Sequence, residues 1–179
     1  MMKFNRKLAV LFVLGALAGC SDSSGNQQIP LPAVLTAEAA GHYCQMIVLD
    51  HDGPKAQIHL SGFEAPLWFS QVRDGIAYVK SPEQSAQMII MYVNDMGAAD
   101  SWAEPGDNNW IDAKDAYYVV GSDAVGGMGA PELVPFAQQE QAQEFADERG
   151  GVVKRLSDIS AEEVLAPVDF DNTSAGDHA

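Results

Sequence analysis

Cysteine is scarce in this 179-residue chain: there are only two, Cys20 and Cys44. Cys20 ends an N-terminal apolar segment, so Cys44 is the sole thiol of everything that follows, and no disulfide can form inside that remainder. Positive charge is scarce as well, with 10 Lys and Arg against 25 Asp and Glu and a net charge of −15. A nucleic-acid binder needs a basic stripe to neutralise phosphates, and none is present. Anionic lipid would be repelled too, whereas a metal cation or a cationic partner surface suits this balance. Past residue 19, no apolar run approaches the roughly twenty residues that a membrane-spanning helix requires. The remainder is therefore expected to be soluble and merely tethered.

The tether is written at the start. Lys3, Arg6 and Lys7 form a positive region, residues 8–17 are apolar, and Leu17-Ala18-Gly19-Cys20 closes the run. About ten apolar residues suit a cleaved signal peptide rather than a span. The four closing positions resemble the bacterial lipobox, which implies cleavage after residue 19 and a diacylglyceryl chain on Cys20. Cleavage would remove three basic residues and no acidic ones, taking the net charge from −15 to −18. The expected location is the periplasmic side of a membrane, with Ser21 in place of an aspartate favouring the outer membrane over the inner. Residues 20–36, which begin SDSSGNQQ after the cysteine, read as a flexible leash. About 120 to 130 residues then remain, enough for one compact domain.

Strands and helices alternate in a pattern that occurs twice. Residues 43–49 (YCQMIVL) and 56–60 (AQIHL) read as strands around the turn His51-Asp52-Gly53-Pro54. Residues 69–80 read as a helix despite Gly75, and residues 87–94 (QMIIMYVN) as a strand. The second half offers strands at 116–121, 132–136 and 152–156, with a helix at 137–149 stopped by Gly150-Gly151. The expectation is an α+β fold of two ββαβ halves, residues 37–96 and 97–158, the second entered through a Gly/Asp/Asn/Trp-rich linker. Residues 159–179 read as an acidic mobile tail.

Chemistry concentrates on sulfur. On a strand, positions two apart share a face, so Cys44 and Met46 would point at one centre. Thiolate and thioether are soft donors that select Cu(I) over hard cations. Met128, in the glycine-rich loop Gly126-Gly127-Met128-Gly129, could close over such a site. The bland alternative for Cys44 and Met46 is core packing, and both readings stand at this level. His42 would share the strand face of Cys44, and His59 would lie on the neighbouring strand, so both are candidate imidazole donors; Met96 is a candidate loop thioether. His51 reads as a turn residue, Met88 and Met91 as core, and Trp110 as a core anchor. The Asp107–Asp112 stretch lacks the spacing of a calcium loop.

Three separated segments together resemble the NosL family: HYCQM at 42–46, WIDAKDAYYV at 110–119 and MGAPELVPF at 128–136. The resemblance implies an organomercurial-lyase-like fold and a lipoprotein copper chaperone of denitrification. It implies Cu(I) on Cys44, Met46 and Met128, with His42, His59 and Met96 as further candidates. It also implies delivery to nitrous oxide reductase and a membrane assembly complex, an ABC-type transporter with a periplasmic subunit. The family often shows C-x-x-C-G-M, whereas here Gly41 stands at the first cysteine and Gln45 at the glycine. The rival class is an enzyme using Cys44 as nucleophile, organomercurial-lyase-like or otherwise thiol-dependent; it needs an activating base or a second thiol, and no such set is evident in the sequence.

Overall fold

The computed structural model describes residues 28–168; the signal segment and Cys20 lie outside them. Seven strands and three helices follow in the order β1 (Ala56–Leu60), β2 (Leu67–Phe69), α1 (Val72–Lys80), β3 (Met88–Asn94), β4 (Trp110–Asp112), β5 (Tyr117–Val125), β6 (Pro131–Phe136), α2 (Gln139–Arg149), β7 (Val152–Arg155) and α3 (Ala161–Leu165). They build two antiparallel sheets, ordered β2-β1-β3-β4 and β6-β5-β7. In each sheet the strand after a helix pairs with the strand that opened the hairpin before it.

One core joins the sheets. Ile58 of β1, Phe69 of β2, Ile76 of α1 and Val93 of β3 share it with Tyr118 of β5 and Leu133 of β6. Each fully buried aliphatic side chain of this kind contributes roughly 1.5–3 kcal/mol. Gly75, the residue that weakens the helical reading of α1, is what lets the helix lie so close. A Cβ there would meet Ala56 Cβ and Met91 Cε, each at 2.8 Å. Met91 is accordingly core, as its strand position implies.

Three expectations are corrected. Residues 43–49 are not a strand; they form a tight turn followed by a 3-10 turn at Val48–Asp50. The supposed leash is tied down before residue 36: the Gln57 amide accepts from Ala33 N–H (2.7 Å) and donates to its carbonyl (2.9 Å), and the Tyr92 hydroxyl donates to the Pro30 carbonyl (2.8 Å). The acidic tail also begins inside the fold. Ile159 and Val164 are core residues, and α3 opens on a capping box between Ser160 and Glu163.

Candidate metal centre

Cys44 sits in a loop that wraps the free edge of β2. Gly41 bridges Trp68 in the parallel sense, and His42 N–H donates to the Trp68 carbonyl at 2.6 Å. Ala39 and Val48, with Leu35, form a small core on the Trp68 side and fix the loop's two ends. Between those ends the chain turns sharply. Gln45 N–H donates to the Gly41 carbonyl and Gly41 N–H to the Met46 carbonyl, both at 2.8 Å. The turn forces Gln45 to φ 57°, in the left-handed region that disfavours a residue with a Cβ. Its own side chain offsets that strain, donating to the carbonyls of Gly41 (3.2 Å) and His42 (2.7 Å).

This turn removes the basis for pairing Cys44 and Met46 by strand alternation. With a left-handed residue between them, positions two apart no longer share a face. Cys44 instead folds inward: half-buried, its Sγ lies 3.5 Å from Ser70 Oγ and covers Gly41, where a Cβ would stand 2.5 Å from the sulfur. Met46 faces outward at the loop's surface.

Ser70 and Gln71, between β2 and α1, form the strip on which the second half of the site is laid. Met128 N–H donates to Gln71 Oε1 at 3.2 Å, fixing the loop of residues 126–129 beside Cys44's partner. The glycines there are required by contact. A Cβ on Gly126 would fall 2.6 Å from Glu132 Oε2 and 2.7 Å from Gln71 Oε1; one on Gly127 would meet His51 Cβ at 2.6 Å and the Ser70 carbonyl at 3.1 Å. The loop Gly126–Gly129 thus lies against the same strip that Cys44 touches through Ser70.

His51 is the residue that sequence reasoning missed. Its Nδ1 lies 3.0 Å from the Gly127 carbonyl, which can only accept, so Nδ1 carries the proton. Nε2 is then a bare lone pair, and it is buried with no hydrogen-bond partner among the described residues. An orphaned imidazole acceptor is costly unless something binds it, and an imidazole oriented through its other nitrogen by a carbonyl is the usual state of a metal-ligating histidine. No spacing in the sequence signals this, because the contact spans 76 positions.

The other candidates lie elsewhere. His59 is buried with Nε2 3.0 Å from Gln57 Oε1 and its ring edge-on to Tyr92, and burial lowers its pKa. Alternation along β1 puts it with Gln57, on the face opposite Ile58 and α1. Met96 packs into the second core, beside Phe136 and Val119. The His42 ring lies among Tyr43, Phe69 and Tyr78, at centroid distances of 5.1 to 5.6 Å, and is a packing element.

Two buried charges brace the strip. Glu132 accepts from the N–H groups of Val72 (3.2 Å), Arg73 (2.9 Å) and Leu133 (2.8 Å), so a β6 carboxyl caps the start of α1. Burial pushes its pKa up to about 7 against those three bonds. Lys55, 1% exposed, donates to the carbonyls of His51 (2.5 Å), Asp52 (3.0 Å) and Gly53 (2.6 Å) and so holds the turn that carries His51. Burial lowers its pKa to about 8, opposed by Glu132 and Asp52.

Three segments carrying soft or borderline donor types thus meet the Ser70–Gln71 strip or its neighbours: Cys44 through Ser70, the Met128 loop through Gln71, and His51 through Gly127. The family model described as NosL matches residues 32–164. The copper-binding lipoprotein NosL of Achromobacter cycloclastes is 51% identical over 165 residues, covering 92% of this chain and 84% of the relative. The protein of the same name from Stutzerimonas stutzeri is 34% identical over 173 residues, covering 96% and 88%. The crystal structure of the copper chaperone NosL from Shewanella denitrificans superposes with a TM-score of 0.68 at 30% identity, covering 73% of this chain and 97% of that one.

Proposed function

Since the chain belongs to the NosL family, we propose that it is a metallochaperone that carries Cu(I) as cargo on Cys44, His51 and Met128. Met46 serves as an exposed thioether at the mouth of the site. The carrying observation is the buried, unpartnered Nε2 of His51, held beside the Met128 loop and within one residue's packing of the Ser70 that touches Cys44. The donor chemistry fits the cargo. A thiolate gives affinity, while thioether and imidazole are exchangeable, which a carrier needs in order to let go. In this reading Cys20 bears the lipid that holds the protein on the periplasmic side, at the outer membrane, and the copper goes to nitrous oxide reductase through its membrane assembly complex in denitrification. The relatives' names, copper-binding lipoprotein and copper chaperone, support it. Among the described residues no helix is long and apolar enough to cross a membrane, consistent with tethering by lipid.

The reading is non-enzymatic. Relatives described as a copper-binding lipoprotein and a copper chaperone support it. The organomercurial-lyase-like fold of two ββαβ repeats belongs to the same proposal; in each sheet the strand after the helix pairs with the first strand of the hairpin before it, as a repeat requires. Anaerobic Cu(I) competition titration tests the site. Cys44→Ser is expected to weaken binding by about 100-fold or more, and His51→Ala by about tenfold, which is 1.4 kcal/mol. Titrations of both variants that overlay the unaltered chain would overturn the assignment.

A further inference from the structure

Exposed apolar side chains flank the thiol along the chain. Tyr43, Met46, Ile47 and Leu49 are 54%, 44%, 43% and 45% exposed, all on the one seven-residue stretch that holds Cys44. Scattered exposed hydrophobics need no explanation, but a contiguous group marks a place of contact. The charge around it has one sign. Between residues 28 and 72 the single Lys or Arg is Lys55, buried with its ammonium bound to three carbonyls. Glu38, Asp50 and Asp52 are exposed on the same segment. The Val48 N–H to Ala39 carbonyl bond (2.9 Å) leaves Glu38 and Leu49 at the same end of the loop's pairing. Past Leu49 and His51 a cavity of about 500 Å³ opens, lined by Asp100, Glu104 and Asp107 and by one cation, Lys55, whose ammonium is taken up by three carbonyls.

We propose that the face of residues 43–49, with the adjoining acidic cavity, is a docking surface for a protein that presents an apolar patch framed by lysine or arginine, one cationic side chain entering the cavity. The proposal rests on the reading of Cys44 as the cargo thiol and names the chemistry of the recipient. Charge complementarity selects this occupant. A second copy would set Glu38, Asp50 and Asp52 against their equivalents, and like charges across an interface cost several kcal/mol. Anionic lipid meets the same repulsion. A basic-framed partner gains steering at low salt and register on contact. Docking also seats the half-buried thiol at the centre of a water-excluding collar, so that one ligand is exchanged for another without releasing the ion to solvent.

The test uses the full, lipid-anchored chain in a denitrifying host, with a photo-crosslinking benzoylphenylalanine in place of Ile47 or Leu49. A control carries it at Val152, which is more exposed than either but lies on β7 of the other sheet. After irradiation the attached peptides are identified by mass spectrometry. The expected result is a protein adduct from 47 and 49 at about fivefold or more the yield from 152, to a segment containing Lys or Arg, and reduced about fivefold or more by Glu38→Lys with Asp50→Lys. Adducts with lipid or a second copy, a segment free of basic residues, equal yields from 152, or no adduct would each overturn it. Cu(I) titration of the same proteins separates the two readings. Adducts without copper binding leave the surface standing and sink the cargo role; copper binding without adducts does the reverse.

Discussion

Gln45 sets the direction in which the thiol points. The run YCQMIVL reads as a strand because its β-branched and aromatic residues fit one. What defeats that reading is a left-handed residue with no glycine or asparagine to announce it. Gln45→Val puts a β-branched side chain at φ 57° and removes both amide bonds. It is expected to weaken Cu(I) binding about tenfold or more, while Gln45→Gly, which relieves the strain, stays closer to the parent. Cys44 and Met128 stood out in the sequence as candidates because sulfur is a chemical signal in itself, although the strand on which Cys44 was placed is a turn. His51 did not, because its meaning comes from a carbonyl 76 positions away. His59 shows the opposite error, a histidine of the right type on the wrong face. His59→Ala should cost about 1–3 kcal/mol in urea unfolding and leave Cu(I) affinity unchanged.

Elements with clear periodicity were legible: α1, α2, β1, β3 and β6 fall close to their expected places. Those resting on few residues or on distant partners were not. The three-residue β4 finds its partner only across β3, and α3 lay hidden in an acid-rich tail although Ser160-Ala161-Glu162-Glu163 spells a capping box. Two tests belong here. Ile159→Ala is expected to destabilise by about 2–4 kcal/mol, a loss that a mobile tail would not show. The cap of α1 by Glu132 predicts a pH dependence. Its folded pKa, about 7, is raised above the ordinary carboxylate value, so the folded state holds the proton more tightly than the unfolded chain does. Stability should therefore be fullest below about pH 4.5 as far as this group is concerned, fall as pH rises toward 7, and level off above. Urea midpoints at pH 5 and pH 7.5 measure it, and Glu132→Gln should remove that component while lowering stability overall, because an amide has one acceptor oxygen for three N–H donors.

At the scale of the molecule, 25 acidic side chains against 10 basic ones make self-repulsion a general load on the fold. Raising salt from about 10 to 200 mM should lift the thermal midpoint by a few degrees through screening alone. A drop would show that the few ion pairs, such as Arg149 with Asp123 at 2.6 Å, outweigh the excess of negative charge. The fold class was legible because two alternating strand-and-helix patterns were present. The way the halves lock together was not, since it depends on a carboxyl of β6 reaching the backbone of α1.

Gly41 carries one last consequence. The space its missing Cβ leaves is occupied by the Cys44 sulfur. On the proposed role and location, a cysteine at this position would press on the Cys44 sulfur and offer it a disulfide partner. With glycine there, Cys44 has no second thiol beside it among the described residues. Oxidation of this loop then starts as sulfenic acid or a mixed disulfide on Cys44, both reversible by a small thiol, or as sulfoxide on the exposed Met46. For the carrier proposed above, readiness for cargo then depends on the reductants around the protein and not on a redox state stored within it.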